Sequence, residues 1–236
     1  MQTIEAKLPV PANLPGQSTR EREDLRQPRP GRPRKVFANR KHQGDKRKSG
    51  NPVGVSKTAL LVIDMINTYD HKDADLLLPS AREVVPVVAD LLRHARGLSV
   101  PVIYVNDNFG EWRSHHGELL DEALNGPHGS LVEPLKPDAE SLFVLKARHS
   151  VFFETPLEYL LRQQNIDQLV LTGQVTEQCV LYSALDAHIR HFDVVVPKDA
   201  VAHIHEDLAR AALQMMERNM GARVCTSEEL RRRPAL

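Results

Sequence analysis

A three-layer α/β/α fold around a mostly parallel, roughly six-stranded Rossmann-like sheet is predicted by three observations. Short apolar runs alternate with stretches of helical period. The runs are continuous in their apolar character, as strands buried on both faces are. The segments between them are long enough for the helical crossovers that parallel strands need.

The elements follow in order. "TALLVID" (58 to 64) reads as the first strand, and "AREVVPVVADLLRHARG" (81 to 97) as an amphipathic helix closed by a glycine. "VPVIYVND" (100 to 107), "SLFVLK" (141 to 146), "DQLVLTG" (167 to 173), "FDVVVPKD" (192 to 199) and "ARVCT" (222 to 226) repeat the strand signal. Helical patterns are expected around 156 to 164, 177 to 190 and 206 to 220. No internal repeat of fixed period is visible.

A formal net charge of zero conceals two electrostatic halves. Residues 1 to 56 carry 13 Lys or Arg against 5 Asp or Glu and hold 7 of the 16 prolines. The remaining chain, 57 to 236, has a balance of −8 and contains the whole apolar pattern. The first segment has no apolar period and reads as a disordered basic, Pro-rich arm. Its "RPGRPRK" (29 to 35) resembles the Arg-Gly-Arg-Pro core of minor-groove AT-hooks, with the match broken at Pro30. Nucleic-acid binding by the arm is therefore an alternative, and a solvated tail is the preferred reading. The two cysteines, Cys179 and Cys225, are too few for a disulfide framework or a zinc site, which points to free thiols in a reducing compartment. No apolar run has membrane-spanning length, and "MQTIEAKLPVPANLPGQ" lacks a secretory signal's apolar stretch. A cytoplasmic location without membrane contact is expected.

Ligands of open parallel sheets collect at the carboxyl ends of the strands, where strand order reverses. Three polar residues stand at such ends: Asp64 closes the first strand, Lys146 the third, and Cys179 follows the fourth through a tight turn. Singly, each has an ordinary explanation as a turn residue, a solvated strand end or a small buried side chain. Together they make an acid, a base and a thiol. A helix N-terminus and a nearby Lys⁺ both favour thiolate, so Cys179 is expected to be an activated nucleophile.

From about 57 to 230 the chain resembles the isochorismatase-like cysteine hydrolases, a superfamily that includes nicotinamidases and carbamoylsarcosine and ureidoacrylate amidohydrolases. "LLVIDMINTYD", "LKARHSVFFETPL", "GQVTEQCVLYSALDA" and "KDAVA" carry the resemblance, the third most specifically. It implies a catalytic triad of Asp64, Lys146 and Cys179 and an oxyanion hole formed by the N–H groups of Val175 and Cys179. It also implies a cis peptide between Gln174 and Val175, with Gly173 supplying the turn that accommodates it. The implied reaction is hydrolysis of a small amide, ureide or carbamoyl C–N bond through a thioester. The superfamily also contains vinyl-ether hydrolases that do not need the cysteine, and the presence of Cys179 argues against that alternative. A small-molecule substrate and a homo-oligomer are expected.

The departures are local. Ile66 stands where many members have Gln, Thr68 where they have Asp, and Glu154 where Gly is usual; they are expected to alter the pocket more than the triad. Phe109 stands where metal-dependent nicotinamidases have the His of an Asp-x-His pair, so no metal or other cofactor is expected. His115, His116, His203 and His205 are the alternative ligands, although such pairs on loops more often form polar surface. Tyr69, Phe109, Trp112, Arg113, Phe152 and Tyr182 are the candidate substrate-pocket residues.

Overall fold

The computed structural model describes residues 57–109 and 115–232. The expectations for the basic arm, for Trp112 and for Arg113 lie outside the described residues. Among the described residues, seven strands form one sheet: β1 (Thr58–Ile63), β2 (Val102–Asp107), β3 (Leu142–Lys146), β4 (Gln168–Gln174), β5 (Asp193–Pro197), β6 (Val201–Ala202) and β7 (Arg223–Cys225). Their order is β3-β2-β1-β4-β5-β7, with β6 paired to β4, and every pairing is parallel. The strand beyond the expected six is β6, whose two residues are too short to leave a pattern in the sequence.

The helices are α1 (Ala74–Gly97), α2 (His116–Asn125), α3 (Gly129–Val132), α4 (Leu157–Gln163), α5 (Leu181–Ile189), α6 (Glu206–Met220) and α7 (Ser227–Arg231). Adjacent residues of β1 divide the core, because successive side chains of a strand point to opposite faces. Leu60 and Val62 pack with Leu77, Val84, Val88 and Leu91 of α1. Ala59, Leu61 and Ile63 pack with Leu157 and Leu161 of α4, Ala184 of α5 and Met216 of α6. Both faces of the sheet are thus covered, which accounts for the unbroken apolar strands.

Helix α1 starts seven residues earlier than its pattern suggests and contains Pro79 and Pro86. Both prolines lie on the exposed side. Water can satisfy the carbonyls they leave unpaired there, while Leu77, Leu78, Ala81, Val84 and Val85 maintain the buried stripe. Among the described residues, no helix is long and apolar enough to cross a membrane.

The strand order reverses between β1 and β4. Their register pairs Ile63 with Gly173, and β2 and β3 pair Asp107 with Lys146, so the strand ends open at one level. A crevice is required there by topology alone.

Candidate active site

Asp64 leaves β1 in a left-handed conformation, φ 56°, so its carboxyl departs from the alternation of the strand. One oxygen, Oδ1, accepts the N–H of Asp107 at 2.7 Å, and the other, Oδ2, lies 2.9 Å from Lys146 Nζ. Asp64 is only 6% exposed. Burial raises its pKa above the ordinary carboxylate range, against the opposing pull of Lys146. Asp64 is therefore a stronger proton acceptor than a solvated aspartate.

Lys146 ends β3 with 2% exposure. Its ammonium also meets Asp107 Oδ2 at 3.3 Å and Cys179 Sγ at 3.7 Å. Burial disfavours the charge, but Asp64, Cys179 and Asp107 together hold the lysine pKa above its ordinary value. The group is a fixed cation.

Cys179 lies in a π-helical turn, Thr176–Val180, that leads directly into α5. Thr176 Oγ1 donates to Ala202 O at 2.8 Å, tying this turn to β6. The Gln174–Val175 peptide is cis. Gln174 Nε2 donates to Asp64 O at 2.8 Å, joining the two arms of the crevice. The pull toward thiolate expected from the helix N-terminus and Lys146 is opposed here. Burial, and then the Asp64 carboxylate, raise the thiol pKa, outweighing Lys146 and a hydrogen bond from the Val175 N–H. The sulfur rests as a thiol hydrogen-bonded to Asp64, poised to give up its proton.

The cavity above the sulfur measures about 280 Å³ and is lined in part by Asn67, His71, Asp73, Asp107, Phe109 and His149. Asp64, Gln174, Val175 and Cys179 also line it. Of the candidate pocket residues, Phe109 opens into the cavity. Tyr69 is buried behind it, donating to Gln174 Oε1 at 3.3 Å, and burial pushes its phenol up to about 12. Tyr182 is an exposed residue whose ring meets His149 at 5.5 Å between centroids. Phe152 belongs to the core, stacked on Phe192 under the Arg190 guanidinium. Its apolar character serves packing, so Phe152→Ala is expected to destabilise the fold by about 3–5 kcal/mol while leaving KM nearly unchanged. Denaturant unfolding and steady-state kinetics check both parts.

Asp107 and His149 were not singled out by the sequence reading. Asp107 was visible as the polar end of the second strand. His149 gave no periodic signal, because it sits in the turn after β3 and reaches the sulfur through the path of the chain, with Nδ1 at 3.6 Å from Sγ.

Comparison with known proteins decides the lineage. The isochorismatase domain model matches residues 58–229. The chain belongs to the isochorismatase family. It is 32% identical over 172 residues to the uncharacterized isochorismatase family protein YaaI of Bacillus subtilis, covering 73% of this chain and 95% of that one. It is 31% identical over 165 residues to maleamate amidohydrolase of Pseudomonas putida, covering 66% and 78% respectively. The crystal structure of N-carbamoylsarcosine amidase from Thermoplasma acidophilum aligns with a TM-score of 0.57 at 28% identity, over 73% of this chain and 97% of that one.

Within this isochorismatase-family chain, the departures fall mostly outside the cavity. Ile66 is fully buried, its backbone clamped by both side-chain atoms of Asn106 at 3.0 Å. Thr68 Oγ1 accepts the N–H of Asp70, and Glu154 takes a left-handed φ of 52°, the conformation that favours glycine. A metal fits poorly. Asp107 is engaged by the Phe109 N–H and by Lys146, and residue 109 offers a phenyl ring. Among the described residues, no three His, Cys, Asp or Glu side chains are grouped to hold an ion. His116 stacks on Phe143, His203 pairs with Ser80, and the His205 N–H is held by Glu177.

Proposed function

We propose that this isochorismatase-family hydrolase cleaves the C–N bond of a small amide, ureide or carbamoyl compound through a Cys179 thioester. One observation carries the reading: a single buried ammonium, that of Lys146, lies 2.9 Å from Asp64 and 3.7 Å from Cys179 Sγ at the sheet's switch point. The names of the amidohydrolase and amidase relatives support the choice of bond. A cavity of about 280 Å³ lies just below the ordinary range for ligand pockets, which suits a small substrate.

The Cys179 thiol passes its proton to Asp64 as Sγ attacks the carbonyl carbon, and Lys146 offsets the developing negative charge on sulfur. The oxyanion is received by the N–H groups of Val175 and Cys179, and the former already faces the sulfur. Asp64, now an acid, protonates the nitrogen as the C–N bond breaks and amine or ammonia leaves. The same carboxylate then takes a proton from water, whose oxygen attacks the thioester; the C–S bond breaks, the acid product leaves, and the Cys179 sulfur recovers the proton from Asp64.

Asp64→Asn removes the proton carrier of both halves. Turnover of a panel of primary amides, ureides and carbamoyl compounds is expected to fall about 10²–10⁴-fold. Slow first attack would leave an acyl adduct on the Cys179 peptide, visible by intact and peptide mass. Unchanged turnover would remove Asp64 from the reaction.

A further inference from the structure

The Cys179 sulfur has two different sides. On the buried side lie Asp64 and Lys146, the groups of the proposed triad. On the side toward solvent lies the exposed residue His149, whose Nδ1 is 3.6 Å from Sγ, within hydrogen-bond range for sulfur. The turn carrying it is fastened to α5: Val151 N donates to Ser183 Oγ at 3.0 Å, and Ser150 Oγ donates to Asp186 Oδ2 at 2.5 Å. The imidazole also rests against the Tyr182 ring and lines the substrate cavity. It is thus held beside the sulfur on the cavity side.

The geometry points to His149 as a further catalytic residue, a second proton acceptor for the Cys179 thiol that opens toward solvent. This rests on Cys179 being the nucleophile. With the ring proton on Nε2, Nδ1 takes the proton as the S–H bond breaks, leaving thiolate and imidazolium with no change in oxidation state. The sulfur electron pair forms the C–S bond, and the imidazolium returns its proton to the amine as the C–N bond breaks. Asp64 and His149 then flank one sulfur with a buried and an open acceptor. The other charged or titratable groups facing this assembly are Lys146, Asp107 and Tyr182, with His71 and Asp73 lining the same cavity, and Arg148 is the exposed neighbour in the chain.

The test is the rate of iodoacetamide alkylation of Cys179, read on its tryptic peptide, as a function of pH in the full chain. Five proteins are compared: wild type, His149→Phe, Asp64→Asn, and Asp64→Asn combined with His149→Phe or with His149→Gln. Phenylalanine keeps an aromatic ring beside Tyr182 and removes the nitrogen. In the Asp64→Asn background, where the buried acceptor is gone, His149→Phe is expected to slow alkylation at neutral pH at least about 10-fold and remove one ionisation from the pH profile. Equal rates, within about 2-fold, in Asp64→Asn with and without His149→Phe would overturn the assignment, since a proton acceptor is worth far more than that. So would full recovery with His149→Gln, which can bond to sulfur but cannot take its proton. Amide turnover is measured separately: if no amide is cleaved but alkylation still depends on His149, the proposed substrate class fails and the proton acceptor stands.

Discussion

Cys179→Ala is expected to reduce the release of amine or ammonia from any amide that the wild-type protein cleaves by about 10⁴-fold or more, to the background of the assay. The size of the effect follows from the position of the sulfur. It is the group that contacts Lys146, Asp64 and His149 together, and nothing in the alanine variant can form the covalent intermediate. The fold should survive, because a small, nearly buried side chain is replaced by one slightly smaller. An unchanged melting temperature by calorimetry, alongside lost ammonia release, would separate chemistry from stability. Amide hydrolysis that persists in Cys179→Ala would remove Cys179 from the role of nucleophile.

Gly173→Ala is expected to destabilise the protein by about 3 kcal/mol or more, from backbone crowding in the sheet. Gly173 has φ 110°, where an L side chain is strained, and a Cβ built there would lie 2.1 Å from Ile63 O and 2.7 Å from Ile63 N. Both are backbone atoms of the paired strand, so no rotamer can relieve the contact. For a domain of this size, that energy corresponds to roughly 6–12 °C in melting temperature. Whatever folded protein remains should lose activity as well, because the displaced strand end carries Asp64. A variant melting with the wild type would show that β1 and β4 can separate locally at no cost.

The sheet was readable because burial on both faces leaves a signal in each strand independently: Leu60, Leu61, Val62 and Ile63 must all be apolar whatever their partners are. Helix α1 was readable from residue 81 onward, but Pro79 concealed its first turns, since a proline tolerated on a hydrated helix face looks in sequence like one that stops a helix. Helix α2 was missed although Leu119, Leu120, Ala123 and Leu124 recur at helical spacing and pack against the core; at ten residues, beside a loop rich in charge and histidine, the stripe is short. The residues at the strand ends were accessible to pattern and resemblance together. The protonation state of Cys179 was not, because it depends on a balance among burial, Asp64 and Lys146 that only distances resolve. His149 is the clearest case of information absent from spacing: its contact with sulfur exists because Ser183 and Asp186 on α5 hold the turn in place.

The enclosure of Lys146 has an electrical consequence for the whole cycle. Two carboxylates, Asp64 and Asp107, face one ammonium, so with the sulfur protonated the compartment carries one surplus negative charge. When the sulfur loses its proton to Asp64, the surplus moves by a few ångströms but does not change in amount. Cleavage of a neutral amide then expels a neutral amine and restores the carboxylate, again with no ion crossing the boundary. Moving even one ion from water into such surroundings costs several kcal/mol. The chain therefore performs its proposed first half-reaction at constant internal charge, with Lys146 as the stationary counterion about which the protons are rearranged.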